Sequence, residues 1–216
     1  MKTKNKFLFI NNNTFSGKGL SGGDRIWIEL MRHWSVKNQV DLLGSEGASQ
    51  MASKYGLIQN KRYLSASITK IANPAILLNP LYLVLHIITR TTLGCLTVLK
   101  NIKKLKHYRF IYSVSDFYPD LFPALLIKFI YPKTKWIAGY YLFAPWPFAS
   151  DSPYKGKDFI KGFFYYLMQR PSYWLVRSLA DYVFVTSEPD VNKFITPNLL
   201  RPKIIVGRGG GDTTPS

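Results

Sequence analysis

The 216-residue chain carries a formal charge of +17, with 47% hydrophobic residues and 15% aromatics. That composition excludes a disordered chain and allows one sizeable core or half of a two-domain enzyme. A single cysteine, Cys95, excludes an internal disulfide and in its apolar setting reads as a small buried hydrophobe.

Short apolar runs alternate with longer helix-like segments. Phe7 to Ile10 reads as a first buried strand, and Gly23 to His33 as a helix whose Ile26, Leu30 and Trp34 share a face at helical spacing. Val40 to Leu43 reads as the next strand, closed by Gly44. The segment 48–106 departs from the alternation and reads as a basic, largely helical insertion. Its apolar run from Ala75 to Leu99 is interrupted by Asn79, Pro80, His86 and Arg90, so no membrane span of about 20 apolar residues is expected. Arg109 to Val114, Trp136 to Leu142, Tyr182 to Thr186 and Lys203 to Val206 read as further strands. Helices are expected at Asp120 to Ile130, at Asp158 to Ala180 with a break or kink at Pro171, and after Ser187. Strands buried on both faces and alternating with helices imply an α/β, Rossmann-like, mostly parallel sheet with helices on both faces, in one domain over 1–216. Ligands of such sheets bind at the carboxyl ends of the strands.

The charge is uneven: between Gly47 and Ser115 stand ten Lys or Arg and no Asp or Glu. The resulting positive potential attracts nucleic acid, an anionic membrane surface or phosphorylated substrates. Because the basic residues surround an apolar run, a membrane surface is favoured and nucleic acid is not expected. After the basic Met1 to Lys6 only Phe7 to Ile10 precede polar residues, so no signal peptide is expected. A cytoplasmic location follows, peripheral at the inner face of the membrane.

The stretch "NNNTFSGKGLSGGDR" contains the literal pattern G-x-G-x-x-G at Gly17, Gly19 and Gly22. A dinucleotide fingerprint runs almost directly from its strand into the first glycine, whereas six residues separate Ile10 from Gly17 here. Asp41, at the spacing of a ribose-binding acid, falls near the start of its strand, away from the ligand crevice. What remains is Gly22 and Gly23 at the start of a helix, where free N–H groups and the dipole favour an anion. A plain turn and cap is the competing reading, with Asp24 as a salt-bridged cap residue.

Four segments, in order, resemble the N-terminal domain of the retaining GT-B glycosyltransferases of family 4. They are "LSGGDRIWIELMRHW", "YSVSDFYPDLFPALLIKFIYPKTKWIAGYYLFAPWPF", "ADYVFVTSEPD" and "IIVGRGGGD". The resemblance implies one half of a GT-B fold, the half that binds the acceptor, and a nucleotide sugar as substrate with no cofactor. It maps a donor-phosphate loop onto Gly22, Gly23, Asp24 and Arg25, with the family's acid displaced by one position. Asp116 and Asp120, after the "IYSV" strand, are candidate catalytic carboxylates for acid-base work or for binding acceptor hydroxyls, with helix capping as the alternative. Ser115, Tyr141 and Trp146 are candidate acceptor contacts, the aromatics by stacking on a sugar or lining a lipid groove. Where many relatives carry a His, this chain reads Phe143-Ala144-Pro145-Trp146-Pro147, and no His, Cys or carboxylate spacing supports a metal site.

The donor-binding C-terminal domain of that family is expected to be absent, so a separate C-terminal half would be a partner. The expected function is the acceptor half of an enzyme moving a sugar from a nucleotide sugar to a glycan or lipid-linked acceptor. The alternative is a non-catalytic membrane-binding or scaffold subunit that keeps the fold.

Overall fold

Alternate residues of the first strand enter two different cores, the period-2 pattern of a sheet covered on both sides. In a computed structural model, which describes residues 5–14, 20–65, 80–150, 152–195 and 203–207, β1 (Lys6–Asn11) sends Leu8 and Ile10 into one cluster and Phe7 and Phe9 into the other. The other strands are β2 (Gln39–Gly44), β3 (Arg62–Leu64), β4 (Phe110–Ser113), β5 (Lys135–Gly139), β6 (Tyr182–Val185) and β7 (Lys203–Val206). All pair in parallel, in the order β3-β2-β1-β4-β5-β6-β7. This is the expected Rossmann-like α/β fold.

Helices α1 (Gly22–Lys37) and α2 (Glu46–Lys54) cover one face through Trp27, Met31, Ala48 and Met51. The other face takes α3 (Pro80–Leu105), α4 (Tyr118–Ile130) and α5 (Phe159–Leu179), through Val98, Leu121, Ile127 and Val176. A short α6 (Glu188–Phe194) adds Phe194 to the same side.

Three local expectations change. The inner face of α1 runs through Trp27, Ile28 and Met31, with Leu30 and Trp34 only partly buried. The inner stripe is wider than the spacing implied: Trp34 still packs on Phe7, Phe9, Tyr112 and Phe184 of the sheet, while the adjacent line of Trp27 and Met31 is the one fully covered. Segment 48–106, expected as an insertion, instead supplies most of α2, the edge strand β3 and the long α3, which packs along α4. Its described parts belong to the sheet and its cover, because a parallel β3-to-β4 connection needs a crossover helix. Finally, α5 runs through Pro171 without interruption. Pro171 is exposed, so the one backbone bond it forfeits lies at a solvated turn.

By length and composition alone, Leu81–Leu105 is apolar enough to cross a bilayer, contrary to the reading of its sequence. Yet one face of it is committed to protein. Ile87, Val98 and Leu105 are buried, and a Cβ on Gly94 would lie 2.8 Å from Pro123 Cγ and 2.9 Å from Asn12 Nδ2.

Candidate functional site

The strand order reverses between β1 and β4, so the loops leaving these neighbours diverge and open a crevice at their carboxyl ends. A cleft of about 510 Å³ lies there, lined by Asn11, Thr14, Gly23, Asp24, Ser115, Asp116, Asp120 and Tyr141 among others.

The loop after β1 is held from below. Asp120 on α4 is fully buried, and its Oδ1 accepts the backbone N–H groups of Asn12 (2.5 Å) and Asn13 (3.1 Å). Its Oδ2 accepts the Ser115 hydroxyl at 2.6 Å. Arg90 on α3 donates to the carbonyls of Asn12 (2.5 Å) and Thr14 (3.0 Å). Burial pushes the Asp120 carboxyl up to about 7, against these hydrogen bonds and the nearby Arg90 charge. With both oxygens engaged, Asp120 is built to position the loop.

Asn11 is buried, and its Oδ1 accepts the Thr14 N–H (3.2 Å) and sits 2.6 Å from the Thr14 hydroxyl. Its Nδ2 has no hydrogen-bond partner among the described residues, although the side chain lines the cleft. An unsatisfied buried donor is costly, and this one belongs to a side chain at the edge of the cleft.

The helix start opposite is capped by its own residues. Ser21 Oγ accepts the Asp24 N–H (3.1 Å), and Asp24 Oδ2 accepts the Ser21 N–H (3.0 Å) and hydroxyl (2.7 Å), a reciprocal capping box. Asp24 Oδ1 also accepts Trp27 Nε1 at 3.2 Å. Among the described residues no ion pair joins Asp24 to Arg25, which is exposed. Thus Asp24 is a cap without the salt bridge. A Cβ on Gly22 would meet nothing within 4 Å, and one on Gly23 only Tyr141 Cδ2 at 3.7 Å and Ser21 Oγ at 3.8 Å. Packing therefore does not demand glycine at either position; at Gly23 the space so left belongs to the cleft.

Asp116 is the carboxylate with spare capacity. Its Oδ2 accepts Gln169 Nε2 from α5 at 2.8 Å, and Gln169 is fixed in turn by the Leu142 carbonyl (2.5 Å) and the Ala144 N–H (2.6 Å). Burial pushes the Asp116 carboxyl up to about 6, with the Gln169 bond pulling the other way. A carboxyl near neutrality suits proton transfer at ordinary pH. Behind it lies a second, more apolar cavity of about 250 Å³ bounded by Phe117, Leu142, Tyr165 and Met168.

Tyr141 forms a cleft wall, its hydroxyl hydrogen-bonded to that of Tyr112, and burial raises its phenol pKa. Trp146 lies elsewhere. It packs on Tyr166 at 4.9 Å between ring centres, in a neighbouring groove with Phe143, Arg170 and Lys193. The cleft therefore gathers Gly23, Asp24, Ser115, Asp116, Asp120 and Tyr141, with Gly22 exposed beside it, and leaves out Arg25 and Trp146. Gly17 and Gly19 lie outside the described residues. Sequence reasoning missed Asn11, Thr14, Arg90 and Gln169. The polar run straight after a buried strand pointed to the first two, whereas Arg90 and Gln169 arrive only through tertiary packing. Asp41 is engaged structurally, accepting Lys61 N–H at 2.9 Å and the Tyr108 hydroxyl. Among the described residues, no group of three or more His, Cys, Asp or Glu is arranged to hold a metal.

No protein-family model and no curated protein matches the sequence. Solved structures do match the fold. A UDP-N-acetylglucosamine 2-epimerase is similar over 95% of this chain and 48% of its own, with a TM-score of 0.53 at 10% identity. The chain has the fold of one GT-B half. The S. aureus MnaA-UDP co-structure gives a TM-score of 0.49 at 10% identity, over 96% of this chain and 44% of that one. A putative UDP-N-acetylglucosamine 2-epimerase from Listeria monocytogenes gives 0.48 at 8% identity, over 90% and 42%. The chain spans about half the length of each of these proteins.

Proposed function

We propose that this chain is the acceptor-side half of a retaining, nucleotide-sugar-dependent glycosyltransferase. The observation that carries the reading is the cleft at the strand-order reversal, lined both by Gly23 in the first turn of α1 and by a buried carboxylate, Asp116, whose pKa burial raises to about 6. The backbone N–H groups of Gly22 and Gly23 and the helix dipole offset charge growing on the leaving diphosphate. Asp116 orients an acceptor hydroxyl and takes up its proton, Gln169 holding the carboxylate in place. Tyr141 supplies an aromatic wall for a sugar ring. Asp120, Ser115 and Arg90 position the loop and touch no reacting atom.

A second reading follows from the fold likeness to a UDP-N-acetylglucosamine 2-epimerase. The same cleft would then hold a nucleotide sugar whose C2 is inverted, with no acceptor.

Both readings require nucleotide-sugar binding, so a first step tests that binding and a second separates them. Saturation-transfer NMR of the purified chain with UDP and nucleotide sugars tests binding. The chain is then supplemented with a separately expressed GT-B C-terminal domain, a labelled nucleotide sugar and a lipid extract. Label in the extract supports transfer; a new C2 epimer in the soluble pool selects the second reading. No binding and no conversion overturns both.

A further inference from the structure

We propose that the outer face of α3 docks in the plane of an anionic lipid bilayer. Leu85, Ile88, Leu96 and Leu99 are 51%, 56%, 44% and 49% exposed. With Thr92 between them, their steps of three and four residues put them on one helical stripe. The stripe ends in cations: Lys100, Lys103, Lys104 and Lys106 are all exposed, with Lys103 continuing the same line. From Leu85 to Lys103 it runs about 27 Å at ~1.5 Å per residue.

Charge selects the occupant. No Asp or Glu stands between Gly47 and Ser115, so nothing on the helix repels lipid phosphate, and the whole chain carries +17. Apolar side chains beside a lysine cluster match the boundary between acyl chains and anionic headgroups. A crossing orientation does not fit, because the opposite face is spent on protein. Arg90 bonds to the carbonyls of Asn12 and Thr14, Gly94 meets Pro123 and Asn12, and Val98 and Leu105 lie in the core. Lipid cannot surround such a helix; it can only cover one side.

The placement also orients the cleft. Since Arg90 and Gly94 meet the loop after β1, the N-terminal turns of α3 lie at the carboxyl, cleft-bearing edge of the sheet. A docked chain would therefore hold its cleft mouth beside the lipid surface, within reach of a lipid-borne acceptor; this last clause, unlike the docking, rests on the proposed transferase function.

The test is flotation of the full chain with phosphatidylcholine vesicles, with and without phosphatidylglycerol. Binding is expected only to the mixed vesicles, falling about fivefold for each of Lys100→Gln, Lys103→Gln and Lys104→Gln. The triple change Leu85→Gln, Ile88→Gln, Leu96→Gln should abolish it, whereas Ile195→Gln, 58% exposed on the far end of α6, should not. Hydrogen exchange on the unaltered chain gives a second readout if the triple variant fails to fold, with vesicle-induced protection expected in α3. Failure to float, binding indifferent to the triple change, or protection elsewhere overturns the proposal. So does resistance to an alkaline carbonate wash, which would place the helix across the bilayer. A dimer in solution dissolved by the triple change would assign the stripe to a second copy and overturn it too. Nucleotide-sugar binding in vesicle-free buffer reports on the cleft alone, so the two proposals fail separately.

Discussion

Asp120 Oδ1 accepts the Asn12 backbone N–H at 2.5 Å across 108 positions of sequence, tying the start of α4 to the loop that leaves β1. Removing that carboxylate leaves the buried Asn12 N–H and the part-buried Asn13 N–H and Ser115 hydroxyl without their acceptor. Each such group costs about 1–3 kcal/mol. Asp120→Ala is therefore expected to destabilise the chain by about 3 kcal/mol or more, measured by urea unfolding, and to weaken ligand binding through the loop. Lost sugar chemistry with unchanged unfolding would instead make Asp120 a catalytic residue.

Asp116 sets a pH dependence of definite sign. Its carboxyl is raised to about 6 in the folded chain by burial, against about 3.9 when unfolded. Between these values the folded state holds the extra proton, so its contribution to stability falls as pH rises and levels off above about 6. Asp116→Asn should flatten this part of the Tm profile. Because Gln169 donates to the ionised form, Gln169→Leu should move the carboxyl still higher, as read by carbon NMR of the Asp116 side chain. A downward move would mean that Gln169 does not donate to it.

Gly23 offers a clean separation of fold and ligand. Neither a positive φ nor a close packing neighbour requires glycine there. Gly23→Leu is expected to leave Tm unchanged or slightly raised, since glycine is a poor helix former. The same change should weaken UDP binding at least tenfold by NMR titration, because its side chain would enter the cleft. Unimpaired binding would put the diphosphate elsewhere.

The sheet was legible because its central strands are apolar on both faces, in contrast to the edge strands β3 and β7. Runs such as Phe7 to Ile10 and Tyr182 to Val185 have no amphipathic ambiguity, and their alternation with helices forces parallel pairing. The inner face of α1 was legible in part, since Trp34 packs on the sheet as its spacing implies, but Trp27 and Met31 on the adjacent line are covered more fully, and only the facing sheet decides that. The segment 48–106 misled for a related reason: β3 has three residues and α3 twenty-six, so its rhythm differs from the rest although its connectivity does not. Within the cleft, Gly23 and Asp116 stood beside recognisable strand ends. Gln169 did not, since its meeting with Asp116 spans 53 positions and depends on how α5 returns across the sheet.

Asp181 supplies the opposite pH dependence, far from the cleft. Its Oδ2 lies 2.7 Å from Lys128 Nζ and accepts the Trp136 N–H at 3.0 Å, while Oδ1 lies 2.9 Å from Lys135 Nζ. Burial alone would raise its pKa, but the two ammonium groups and the backbone N–H outweigh that and hold it below the ordinary carboxylate value. A depressed pKa contributes stability above the unfolded value of about 3.9, lost as pH falls through the folded one. Lys135 is 41% exposed and Lys128 16%, so solvent screens part of the attraction, and about 2 kcal/mol is a reasonable scale for the cluster. Asp181→Asn should therefore lower Tm clearly at pH 7, and the gap from the unaltered chain should close as the pH drops below about 4. A gap that stayed constant down to acid would show that shape, not charge, is what Asp181 contributes between α4, β5 and β6.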